Sequence, residues 1–195
     1  MRKETNVAPP VQYTLLGKVI KKLLKFSIIK HVCFSLGLKG FNRMGWEVVR
    51  NGKVVQCGFT YNSRVDKGAD LSASLLAGES LNSITTPLPP KYVALSTSEL
   101  TPAAGDETLT GETSVSGLAR AVGAIQSYTG PASLDAACAY TIYKSFENLG
   151  ETTTIESSAL FDASTSGNMF VEANLDSSAT LEVNDILKIS WTVNL

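Results

Sequence analysis

The clearest periodicity in the chain is at its end. Leu187, Ile189, Trp191, Val193 and Leu195 alternate with Lys188, Ser190, Thr192 and Asn194, a period of two that gives a strand one buried and one polar face. This closing segment is expected to be an inner strand. The same period begins after Pro87, Pro89 and Pro90, and predicts strands over Lys91–Ser96, Leu118–Tyr128, Cys138–Phe146, Thr152–Leu160 and Met169–Leu175. A long turn-rich loop over Glu99–Glu112 separates the first two. Six or so short antiparallel strands with Ser/Thr/Gly connections predict a mainly β fold, an antiparallel β-sandwich of jelly-roll or Ig-like type.

Upstream the pattern changes. Gly45–Phe59 holds two β-branched runs joined by Asn51-Gly52, the pair favoured by a type I′ hairpin turn. Ala69, Leu71, Leu75 and Leu76 have helical spacing, so a short helix is expected within Val65–Leu76. Earlier still, Leu15/Leu16, Val19/Ile20 and Leu23/Leu24 recur about every four residues between lysines, the pattern of a basic amphipathic helix. Phe26–Leu38 fits a continued helix or a strand until Gly37 and Gly40, and is read as helix. The expected division is a basic helical arm at 1–44, a hairpin plus short helix at 45–86, and the sandwich at 87–195.

Charge sharpens this division. Thirteen of the 17 Lys and Arg residues, but three of the 18 Asp and Glu, fall at or before Lys67. The net charge of −1 therefore conceals a basic front and an acidic remainder, an arrangement suited to oriented assembly. Lys18, Lys21, Lys22, Lys25 and Lys30 interrupt the most apolar stretch, and at its centre they are too costly for a membrane span. No Sec-type leader is read at the start.

Little catalytic chemistry is legible. His31 is the sole histidine, which excludes a multi-histidine metal site. Its pairing with Cys33 is disfavoured because residues two apart on a helix face differently. Cys33, Cys57 and Cys138 match no zinc spacing and are read as free buried thiols. Phosphate-loop, dinucleotide, zincin and nucleophile-elbow patterns are absent. Asp162, Glu172, Asp176 and Asp185 are candidates for a glycosidase-like carboxylate pair, although carboxylates on exposed strand faces are routine. The loop 161–168 lacks the alternating acids of a calcium loop and reads as a tight turn. No catalytic, metal or cofactor site is expected, and no cofactor. Lys18, Lys21, Lys22 and Lys25 could meet phosphates, an anionic membrane, or a protein neighbour across a helix face. Base-stacking aromatics are sparse around them, which disfavours specific nucleic-acid recognition, and these four lysines are read as partner-docking residues.

Three passages carry a family resemblance: the Asn51-Gly52 hairpin leading into Tyr61-Asn62; Lys91–Ser96 leading into Thr101–Leu109; and Ala159–Ala163 leading through Gly167–Phe170 to the closing Leu187–Leu195 strand. In this order they resemble small virion structural proteins of tailed bacteriophages or related archaeal viruses, of the head-decoration, head-fibre or tail-fibre kind. The resemblance implies a non-enzymatic, homo-oligomeric virion component, assembled in the host cytoplasm, whose partners are the major capsid or tail proteins of the same particle. It covers the chain from about Gly45 and implies nothing for the arm. The expected function is a capsid decoration or minor capsid component docked through the arm. The alternative is a tail-associated or fibre protein whose loops at 97–117 and 161–168 bind a host receptor or glycan. A glycan hydrolase is a third and weaker reading.

Overall fold

The computed structural model describes residues 42–62, 65–80, 84, 86–129 and 139–194. The expected helical arm falls outside these residues, apart from Asn42–Met44, which open the first strand.

The hairpin forms as its sequence dictates. β1 (Asn42–Arg50) and β2 (Lys53–Asn62) pair antiparallel around Asn51 and Gly52, whose φ angles of 51° and 75° are the two left-handed conformations that a type I′ turn demands. Then come α1 (Asp66–Ala77), β3 (Tyr92–Ser96), β4 (Ala121–Val122), β5 (Ala124–Thr129), β6 (Ala139–Glu147), β7 (Thr153–Phe161), β8 (Met169–Leu181) and β9 (Ile186–Asn194). The strands make two antiparallel sheets, ordered β2-β1-β9-β6-β5 and β4-β3-β7-β8. They face each other as a β-sandwich.

β9 is the inner strand that its alternation implies, paired to β1 on one side and β6 on the other. Leu187, Ile189, Trp191 and Val193 are fully buried, each contributing about 1.5–3 kcal/mol. The Trp191 indole donates to Ser158 Oγ at 3.3 Å, a hydrogen bond from one sheet to the other. Trp46 of β1 likewise donates to Asp176 of β8 at 2.8 Å.

The four-stranded sheet is buried on both faces. Val93, Leu95, Leu160, Val171 and Ala173 join the central core, while Ala94, Ala159, Phe161 and Met169 form a second cluster beneath Val65 and Leu109. Strands covered on two sides lose polar alternation, and here small residues such as the fully buried Ser157 and Ser158 fill the tight layers.

Three elements depart from expectation, β8 by running past Leu175 to Leu181. The strand foreseen over Leu118–Tyr128 is broken at Gly123: Leu118 lies in a turn, β4 joins the four-stranded sheet and β5 the five-stranded one. A chain passing from one sheet to the other does so through a bend, often at a glycine, and a Cβ at Gly123 would crowd Ile142. The helix forms where expected, but it buries Gly68, Leu71 and Ser74 and exposes Leu75 and Leu76. Gly68 allows the close approach, since a Cβ there would land on the Phe170 carbonyl.

Candidate functional site

The structure commits each candidate acid to a separate contact. Asp162 closes its turn by accepting from the Asn168 backbone at 2.6 Å and side chain at 2.7 Å. Asp176 holds the Trp46 indole. Asp185 takes Arg50 through two oxygens at 2.7–3.1 Å, an ion pair that holds the carboxyl below its ordinary range. Glu172 alone has a carboxyl partner, and that partner is Asp106, 66 positions away in the 97–112 loop. Burial first, then the hydrogen bond and charge of Asp106, push Glu172 up to about 8. The same hydrogen bond, with that from the Ala103 amide, keeps Asp106 low. One proton is thus shared, with Glu172 donating and Asp106 ionised. Glu172 Oε1 is buried and accepts no hydrogen bond.

Arg120 joins the two loops singled out from sequence. Its guanidinium pairs with both oxygens of Glu112 at 2.6 and 2.8 Å, donates to the carbonyls of Ser166 and Ala163 at 2.6 and 3.3 Å, and lies 3.5 Å over the Phe161 ring. Arg120 therefore ties loops 97–117 and 161–168 to one another.

A second concavity lies on the outer face of the five-stranded sheet. Across the strands, register aligns Phe59, Gly45, Ser190 and Tyr143 in one row, two aromatics flanking the two smallest residues. The neighbouring rows place Arg43 on one side, and Glu47 with Lys188 on the other. The resulting trough encloses about 600 Å³ and also includes Gln126. Ser190 donates to the Gly45 carbonyl at 3.3 Å, and a Cβ at Gly45 would sit 2.9 Å from its oxygen, so glycine keeps the floor low. Arg43 sits 4.8 Å over Phe59, which meets Tyr61 edge-on at 5.7 Å. Lys188 and Glu47 pair loosely at 3.7 Å. The polar alternation of β9 marks this face in the sequence; the cross-strand row does not show there, because register joins residues from four strands.

Lys18, Lys21, Lys22 and Lys25 lie outside the described residues, as do His31, Cys33 and Cys138. Cys57 is free, as expected, but exposed on β2 rather than buried. Among the described residues no group of three or more His, Cys, Asp or Glu side chains is placed to hold a metal ion, and no helix is long and apolar enough to cross a membrane.

No curated protein matches the chain. A family model described as Podophage GP4 fiber I protein gp80 matches residues 71–192. That span covers the whole four-stranded sheet together with β5, β6 and nearly all of β9, and omits the β1–β2 hairpin.

Proposed function

Because this chain belongs to the podophage GP4 fiber I protein gp80 family, a family of phage virion structural proteins, we propose that it is a fibre-type subunit held to the particle through its basic amino-terminal region, with the β-sandwich facing outward. The family match carries this reading. Two further features support it. The sequence concentrates positive charge before Lys67 and negative charge after it. β1 begins at Asn42, at the end of the five-stranded sheet where Asn42 pairs with Asn62 and its side chain accepts from the Asn194 amide.

Lys18, Lys21, Lys22 and Lys25 are the proposed docking residues, and major capsid or tail proteins of the same virion are the proposed partners. Association with further copies of the chain and assembly in the host cytoplasm belong to the same proposal. The role is structural rather than enzymatic: the acids that could have paired for glycan hydrolysis hold an indole, a guanidinium and a turn, or share a proton. The family description favours a fibre over a capsid-wide decoration. Copy number separates the two.

Mass spectrometry of purified particles tests this. A few copies per particle are expected for a fibre, whereas hundreds would mean a decoration protein. Replacing the four lysines with Glu is expected to leave the sandwich folded and the protein missing from particles; normal incorporation of that variant would refute the docking role.

A further inference from the structure

The trough on the five-stranded sheet has the dimensions and chemistry of a sugar site. Neighbouring strands lie about 4.8 Å apart and alternate residues along a strand about 6.8 Å apart. Its floor, Gly45 and Ser190, therefore spans an area close to that of one six-membered ring. Phe59 and Tyr143 close the ends of the row. Donors and acceptors surround it: the Arg43 guanidinium, the Lys188 ammonium, the Glu47 carboxylate and the Gln126 amide. The Arg43–Phe59 stack orders one donor in advance, and preorganised polar groups around apolar walls favour a small ligand.

Other occupants fit less well. A peptide adding a strand would pair at the β2 or β5 edge rather than lie across a face. The core of an interface with a second copy is normally depleted of charge, whereas three charged side chains border this floor. A bare anion has no use for the aromatic ends and meets Glu47. A pyranose offers both a C–H surface for the rings and several hydroxyls for the charged groups. Arg43 and Lys188 outnumber Glu47, so an acidic sugar is favoured.

We propose that this trough, floored by Gly45 and Ser190 and walled by Phe59 and Tyr143, binds one pyranose ring, with uronic acids preferred over neutral hexoses. Seven of its twelve bordering residues come from the hairpin outside the family match, so the site is a property of this chain's own β1–β2. The inference goes beyond the anchoring role and holds wherever the chain is docked.

The test uses the full-length chain in saturation-transfer NMR and calorimetry with methyl glucuronide, methyl glucoside and methyl N-acetylglucosaminide. Expected are a single site, at least threefold tighter binding of the glucuronide than of the glucoside, and at least a tenfold loss in both Phe59→Ala and Ser190→Tyr, each with unchanged circular dichroism. Phe59 is 44% exposed, so its truncation leaves the core intact. No binding to any of the three probes would overturn the proposal, as would undiminished binding in both variants. A wild-type oligomer that dissociates on Ser190→Tyr would instead make the face a contact between copies. Incorporation into particles is read separately, so failure here leaves the anchoring role standing.

Discussion

Raising the pH from 5 to about 8 should cost the fold much of its stability and, at about 8, loosen the 97–112 loop, because the loop rests on the shared proton between Asp106 and Glu172. Glu172 is 2% exposed, and its carboxyl is pushed from 4.5 up to about 8 by burial and then by Asp106. For a carboxyl raised in the folded state, the stabilising contribution is complete below the unfolded value and is lost as pH rises through the folded one. At about 1.4 kcal/mol per pH unit the contribution is on the order of 5 kcal/mol, an upper value because the cavity beside Glu99, Thr108 and Thr110 opens to water. Asp106 acts in the opposite sense: its depressed carboxyl stabilises above the ordinary value near 3.8 and ceases to do so in acid. Urea unfolding at intervals from pH 5 to 9.5 should show a fall of about 3–5 kcal/mol, steepest between pH 5 and 8. Glu172→Gln keeps a donor for Asp106 and removes the titration, so its curve should be nearly flat over that interval and lie above wild type at pH 9. Parallel curves for the two proteins would refute the reasoning.

Substitutions at three other positions probe the layers around this loop and the helix. Arg120→Ala should destabilise by about 3 kcal/mol, because it removes a guanidinium whose side chain is only 9% exposed from its pairing with Glu112, from the Ser166 and Ala163 carbonyls and from the Phe161 ring. Arg120→Lys, which keeps the charge but loses the fork, should fall between it and wild type in urea midpoint. Gly68→Ala should cost about 1–3 kcal/mol by driving α1 off the Phe170 backbone. Gly78→Ala, where φ is 68° and the space is open, should cost about 1 kcal/mol in the same urea series.

How legible each element was in the sequence follows from how many of its faces meet water. β9 and the hairpin have one wet face or a turn with strict backbone demands, so alternation and Asn51-Gly52 located them. β7 and β8 are covered on both sides, and their register shifts beside Ser157 and Phe161, which blurs any period. β8 continues to Leu181 rather than stopping at Leu175, since the exposed Asp176, Ser177 and Ser178 resemble a turn while lying within a paired strand. The acids were recognised as candidates, but their partners were not: Asp106 with Glu172, and Arg50 with Asp185, meet only through the tertiary fold. The trough was hidden for the same reason.

The position of β1 has a mechanical consequence. β1, the strand that follows residues 1–41 in the sequence, is flanked on one side by β2, through nine paired positions, and on the other by β9, through seven. Inter-strand hydrogen bonds run across the strand direction, so tension on the amino-terminal arm, along β1, loads both ladders in shear and all at once rather than peeling them one bond at a time. An appendage tethered by that arm would resist force at its root, where a subunit tethered through the β5 edge would unzip.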